Sequence, residues 1–176
     1  NPAAIKANAA MVKQGGTIIY DKDNFTEKNL EKAGYSGDPV AEEKLETYNI
    51  IAAPITSMVK EALKNFGLDP KSVLRTKNMF ALGMVYWLFD RKLKYTEQFF
   101  DKKFAQKPEI AEANKVALRA GYYYAETIEA LTPVIKIQPA QIAPGTYRNI
   151  NGNTATAWGF LAAAEKAGLN IFIGSY

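Results

Sequence analysis

The chain has 176 residues, enough for one ordinary domain with a buried core, and its 48% apolar and 23% charged residues match a folded globular protein. Lys and Arg outnumber Asp and Glu by 22 to 18 and are spread along the chain, so the net charge of +4 marks no nucleic-acid face. With no Cys and no His, disulfides, Cys-ligated iron–sulfur clusters, a Ser-His-Asp triad and the usual zinc sites are excluded, and acid–base work near neutral pH would fall to a tuned carboxylate, Lys or Tyr.

No apolar run approaches the roughly 20 residues that cross a bilayer. The opening Asn1-Pro2, without an initiator Met, reads as the interior of a longer polypeptide. Asn1 is placed as an N-cap with Pro2 at the first helical position, and the helix should run to about Lys13 and stop at Gly15-Gly16. Thr17-Ile18-Ile19-Tyr20 then forms a short buried strand ending at Asp21. Helix, glycine turn and strand are the αβ half of a βαβ unit whose first strand would precede Asn1.

Thr26 caps a short helix to Ala33, ended by Gly34. Tyr35–Lys44, with Gly37 and Pro39, reads as loop, and Thr47–Ala53 as the second strand. After Pro54, residues Ile55, Met58, Val59, Ala62, Leu63 and Phe66 recur at helical spacing until Gly67. Met79–Phe89 is apolar on most faces and should lie deep or under a partner, Trp87 included. Thr96 caps a helix carrying Phe99, Phe100 and Phe104, and Pro108 opens the longest helix, reaching about Leu131.

Thr132–Gly145 holds three prolines without helical period and reads as a linker between two units. Beyond it, Thr146–Ile150 is β-like, Asn151-Gly152-Asn153 is a turn, and Asn153 or Thr154 caps a small-residue helix ended by Gly168. Leu169–Ile173 is another strand. This last segment is too short to hold a core unaided and should dock on other structure.

Few groups offer chemistry. Gly15-Gly16 follows a helix and serves as its cap and turn, and neither a dinucleotide nor a P-loop fingerprint occurs. Asp38, Glu42, Glu43 and Glu46 lack EF-hand spacing and read as a solvated acidic loop. Tyr122-Tyr123-Tyr124 point three ways from one helix, so one should enter the core while the others reach a surface. No catalytic or metal-ligating residue is assigned. Gly152-Asn153-Thr154-Ala155-Thr156-Ala157, taken alone, is an N-capped helix whose small residues allow close packing.

That motif, with the small-residue helix and Ile173-Gly174-Ser175-Tyr176 after it, resembles the opening of the pyrimidine-binding domain of thiamine-dependent 2-oxoacid:ferredoxin oxidoreductases. Upstream, Lys77–Leu88 and the run from Lys107-Pro108-Glu109 to Ala120-Gly121-Tyr122 resemble helices of the same enzymes' gamma domain. The resemblance implies an α/β chain in three parts. Residues 1–131 would be the C-terminal part of a Rossmann-like, three-layer gamma domain, 132–145 a linker, and 146–176 the first β-α-β of the thiamine-diphosphate-binding domain.

It implies a cytoplasmic parent enzyme that oxidatively decarboxylates a 2-oxoacid such as 2-oxoglutarate, passes the acyl group to coenzyme A and reduces ferredoxin. Thiamine diphosphate, Mg²⁺ and iron–sulfur clusters would be held by other domains or subunits. The partners would be a thiamine-binding beta subunit and ferredoxin in a homo- or hetero-oligomer, with no nucleic acid and no membrane. Tyr176 matches the first residue of the family's thiamine-site loop. The rest of that loop, and the Glu that activates the cofactor, have no counterpart here, so the implied role is scaffold and interface, inactive alone. A stand-alone α/β binding or interaction module is the rival reading, and an enzyme built on tuned carboxylates such as Glu42 and Glu46 is a third.

Overall fold

In the computed structural model, which describes residues 1–130, 135–172 and 174, the first helix starts where the sequence places it. Asn1 Oδ1 accepts from the Ala4 N–H at 3.1 Å and Pro2 sits in the first turn of α1 (Pro2–Asn8). The helix tightens into a 3₁₀ turn at Ala9–Met11 instead of running to Lys13. The chain must reverse before the first strand, and Gly15 does this at φ +74° while the Gly16 N–H closes on the Lys13 carbonyl at 2.8 Å.

β1 (Thr17–Asp21) follows, then α2 (Glu27–Lys32), with Thr26 at its N-cap and Gly34 at φ +75° just past its end. The stretch expected to be loop contains a short helix, α3 (Pro39–Glu42). Its signal was local: the Asp38 carboxylate accepts from the Val40 N–H at 3.1 Å, and Pro39 occupies the first turn. β2 (Asn49–Ala53) pairs with β1 in parallel, from Thr17 opposite Asn49 to Asp21 opposite Ala53.

Successive side chains of a strand point to opposite faces, and both faces of this sheet are covered. Ile18, Tyr20 and Ile50 pack with Ile5 of α1, with Ala9 of the 3₁₀ turn after it, and with Val40 and Leu45 from the crossover. Ile19, Ile51 and Ala53 face the other way, into a core built by α4 (Ile55–Ala62), α6 (Lys77–Leu88) and α8 (Pro108–Thr127). Coverage on two sides explains why both strands are almost uninterrupted apolar runs.

Two shorter helices complete this unit. α5 (Pro70–Arg75) was not anticipated, although Asp69 caps it through the Lys71 and Ser72 N–H groups, each at 3.0 Å. α7 (Lys94–Lys103) begins two residues before Thr96, whose hydroxyl is instead 2.7 Å from that of Tyr86. α6 buries Phe80, Gly83, Met84 and Leu88, while Trp87 is only half-buried, so this helix is enclosed on one side rather than all round.

The described residues divide into two compact units, Asn1–Gln138 and Pro139–Tyr176. Within the first, Ile135 returns to α6, its N–H donating to the Leu88 carbonyl at 2.9 Å. Residues 131–134, at the end of the expected long helix and the start of the expected linker, lie outside the described residues.

The second unit contains α9 (Gly152–Ala167). Its cap is Asn151, whose Oδ1 accepts from the Thr154 N–H at 2.8 Å, not Asn153 or Thr154 as expected, and Gly168 at φ +66° ends it. The expected strands at Thr146–Ile150 and Leu169–Ile173 are not formed among the described residues; Ile173 lies outside them. A strand exists by pairing, and among the described residues neither segment has a ladder partner. No residue of α9 is buried, and Trp158, Phe160 and Leu161 are exposed.

Candidate functional site

Parallel strands deliver their carboxyl ends to one edge of a sheet, the edge where helices begin and polar groups collect. Here that edge carries the one buried charged cluster among the described residues. Asp21 is the last residue of β1 and only 9% exposed. β2 ends beside it, and Pro54 turns the chain into α4, whose first turn presents the Thr56 and Ser57 N–H groups.

Asp21 Oδ1 accepts from the Thr56 N–H at 3.1 Å. Its Oδ2 accepts from the Thr56 hydroxyl at 2.6 Å, the Asn24 amide at 2.5 Å and the Lys77 ammonium at 3.3 Å. Lys77 also donates to Thr56 Oγ1 at 3.1 Å, and Asp23 accepts from the Ser57 N–H at 2.6 Å. Two carboxylates therefore sit at the positive end of α4, where helix dipole and free N–H groups favour them.

Burial pushes the Asp21 carboxyl up, but the hydrogen bonds from Thr56 and the Lys77 ammonium together outweigh it and hold it below the usual carboxylate range. The carboxylate is fully engaged, and no buried side-chain nitrogen or oxygen among the described residues lacks a partner. The cluster joins the ends of β1, α4 and α6. It offers no idle nucleophile or proton acceptor, and its chemistry is to hold three elements together.

The acidic loop is likewise spent on local structure. Asp38 caps α3, and Glu42 accepts from the Ser36 N–H at 2.8 Å and from the Gly37 N–H. Glu43 accepts from the Tyr35 hydroxyl at 3.0 Å, while Glu46 is exposed. Glu42 and Glu46, the pair offered as tuned carboxylates, share no hydrogen bond among the described residues. Tyr35 is the perturbed group in this region: burial first, then the hydrogen bond and charge of Glu43 and the charge of Glu42, push its phenol up to about 12.

Of the three consecutive tyrosines, Tyr124 packs against the core with its ring tilted on that of Phe80, centroids 5.7 Å apart, Tyr122 is half-buried and Tyr123 is exposed. Tyr176, the expected neighbour of a thiamine-site loop, lies outside the described residues.

Sequence reading did not single out Asp21, Thr56 or Lys77. The partners lie 35 and 56 residues from Asp21 in the chain, and none belongs to a motif of fixed spacing. The one available signal was an Asp closing a buried strand, a place where an unpaired carboxylate would be costly.

Residues 1–124 match the family model described as pyruvate ferredoxin/flavodoxin oxidoreductase. The whole chain, 176 residues, is 45% identical to the 2-oxoglutarate oxidoreductase subunit KorA of Mycobacterium tuberculosis (strain ATCC 25618 / H37Rv) and spans 27% of that protein's length. No solved structure matches the chain. The family match includes Lys77–Leu88 and Lys107–Tyr122, two of the segments that carried the sequence resemblance. The relative extends the likeness through Gly152–Ala157 to the last residue. The chain belongs to the pyruvate ferredoxin/flavodoxin oxidoreductase family.

Proposed function

We propose that this chain is scaffold and interface within the alpha subunit of a thiamine-dependent 2-oxoacid:ferredoxin oxidoreductase. The parent enzyme oxidatively decarboxylates a 2-oxoacid such as 2-oxoglutarate, transfers the acyl group to coenzyme A and reduces ferredoxin. Residues 1–131 are the C-terminal part of a Rossmann-like gamma domain, 132–145 the linker and 146–176 the start of the pyrimidine-binding domain. The partners are a thiamine-binding beta subunit and ferredoxin, in the cytoplasm. The observation that carries this reading is the 45% identity, sustained over the whole chain, to a 2-oxoglutarate oxidoreductase subunit of which the chain matches 27%.

The described residues do not fit the cofactor. Mg²⁺ with a diphosphate calls for converging oxygen ligands. Among the described residues no three Asp or Glu side chains are grouped to hold a metal ion. Asp21 already has four donors from its own chain. No step of the reaction is therefore assigned to these side chains. Their part is to keep α4, α6 and α8 stacked on one face of the sheet. The exposed Trp158, Phe160 and Leu161 of α9 support a further role, packing against the remainder of the enzyme.

The test is 2-oxoacid-dependent reduction of a viologen dye with thiamine diphosphate, Mg²⁺ and coenzyme A supplied. The assembled enzyme should turn over 2-oxoglutarate, and the 176-residue chain alone should not. Turnover by the chain alone would overturn the scaffold assignment. An assembled enzyme that reduces no dye with any 2-oxoacid would overturn the reaction.

A further inference from the structure

α7 turns one side to the core and the other to solvent. Phe100, with Leu93 before the helix and Phe104 after it, packs with Ala111 and Leu118 of α8. Tyr95 and Phe99, one helical turn apart, are 72% and 53% exposed. The two rings form an aromatic ridge along the outside of the helix.

The charges around this ridge are one-sided, and the packing of α7 on α8 makes them so. Both carboxylates of α7 are spent on α8: Glu97 accepts from Arg119 Nε at 2.6 Å and Asp101 from the Lys115 ammonium at 2.6 Å. Arg91, Lys92 and Lys94 at one end of the helix, and Lys102, Lys103 and Lys107 at the other, form no ion pair among the described residues. A hollow lies at each end. The first, of about 310 Å³, is lined by Tyr86, Tyr95, Arg91 and Lys92, with Asp90, whose carboxylate is 3.6 Å from the Lys136 ammonium. The second, of about 330 Å³, is lined by Lys102, Lys103, Phe104 and Lys107, with Ala105 and Gln106.

Unpaired cations around exposed aromatic rings complement an acidic protein surface that carries apolar side chains. Two other classes fit this face less well. A nucleobase stacks on an open ring face, and Lys103 already lies over Phe99 and Phe104, its ammonium 5.4 and 5.6 Å from their centroids. A bilayer takes up a continuous apolar helix face, and the apolar face of α7 is the one buried on α8.

We infer that the outer face of α7, with the basic turn at each end, is a docking surface for an acidic segment of a partner protein, Tyr95 and Phe99 being its anchors and the basic side chains its rim. The inference rests on this face alone and holds whatever substrate the parent enzyme uses.

The probe is a fluorescent synthetic peptide of Glu and Asp interspersed with Leu and Phe, titrated into the 176-residue chain and read by anisotropy. Amide NMR shifts in the same mixture locate the contact and should move within residues 91–107. Tyr95→Ser, Phe99→Ser and the pair Lys102→Glu, Lys103→Glu should each weaken binding roughly 10-fold. Tyr95 is the more exposed ring, so Tyr95→Ser keeps the test open if Phe99→Ser does not fold. The exposed pair Lys28→Glu, Lys32→Glu on α2 makes the same change in net charge and should alter affinity by less than about twofold.

Absence of binding, or shifts centred outside residues 91–107, would overturn the inference. So would an equal loss in the α2 pair, which would reduce the binding to net charge. A peptide of Glu and Asp alone that bound as tightly would leave the two rings without a part. Tighter binding of single-stranded DNA or of phosphatidylserine vesicles, lost in the Lys102→Glu, Lys103→Glu pair, would give the face to another class of partner.

Discussion

Gly83 of α6 meets the Leu118 carbonyl of α8 so closely that a Cβ on Gly83 would lie 2.0 Å from that oxygen. The contact is reciprocal, since a Cβ on Gly121 of α8 would lie 1.9 Å from the Phe80 carbonyl of α6. The two helices cross backbone to backbone, and the obstructing atoms belong to helices that cannot swing aside as a side chain can. Gly83→Ala and Gly121→Ala should each cost about 3 kcal/mol, the upper end of overpacking. Urea midpoints of the two variants check this, and midpoints near wild type would mean that the helices separate without penalty.

Aromatic truncations on α6 should separate sharply. Phe80 is fully enclosed and packs its ring against that of Tyr124, whereas Trp87 keeps contact with water. Phe80→Ala should cost about 3–5 kcal/mol and Trp87→Ala less than about half of that, because the indole loses only part of its enclosure. Equal denaturant midpoints for the two variants would contradict this burial order.

Asp21 makes the tie at the sheet edge sensitive to acid. Its carboxyl is held below the usual range in the folded state, so its contribution is present above pH ~4 and lost as pH falls through the depressed value. Asp21→Ala should cost about 3 kcal/mol at pH 7, since it strips the α4 cap and leaves Lys77 without its carboxylate. Lys77→Met should cost about 1 kcal/mol, because the ammonium is partly hydrated. The gap between wild type and Asp21→Asn should narrow as pH drops below 4, which thermal melts across pH 2–7 would reveal.

Tyr35 acts at the opposite end of the scale. Its phenol, pushed up to about 12 by burial and by Glu43, contributes stability that is complete below pH ~10, the unfolded value, and lost as pH rises towards the folded one. Tyr35→Phe should cost about 1 kcal/mol at pH 7 through the lost bond to Glu43, and its melts should depend less on pH above 10 than those of wild type. Parallel alkaline limbs for the two proteins would remove Tyr35 as the source.

Lys44 ends α3 with φ +55°, and the Leu45 N–H closes on the Val40 carbonyl at 2.8 Å. A side chain at this left-handed position carries a penalty that glycine escapes. Lys44→Gly should stabilise the chain by about 0.5–1 kcal/mol, the steric relief less glycine's greater loss of freedom on folding. A lowered thermal midpoint would show that the Lys44 side chain supports the turn.

Much of the candidate site was invisible in the sequence, and the reason is distance along the chain. Asn1, Pro2 and Asn151 announce helices because capping acts across three or four residues, and the strands at Ile18 and Ile50 are legible because burial on both faces leaves apolar runs. α3 and α5 were missed although Asp38-Pro39 and Asp69-Pro70 carry the same kind of signal, because neither helix is long enough to show a period. Asp21 looked like the end of a strand because its donors, Thr56 and Lys77, reach it only after the chain has crossed the sheet and packed α6 behind it.

By itself the sequence determined what depends on neighbours: the helix starts at Asn1 and Pro108, the glycine turns, the absence of Cys and His chemistry, and the motifs by which the family could be recognised. Tertiary structure decided everything that needs two remote segments. It set the parallel register of β1 and β2, the backbone contact through Gly83 and Gly121 and the Asp21–Thr56–Lys77 tie. It also withheld strands from Thr146–Ile150 and from the described part of Leu169–Ile173. Capping and turn chemistry act within a few bonds of the residue that carries them, but a strand needs a second strand and a buried charge needs its counter-ion, and neither partner can be read from the segment that waits for it.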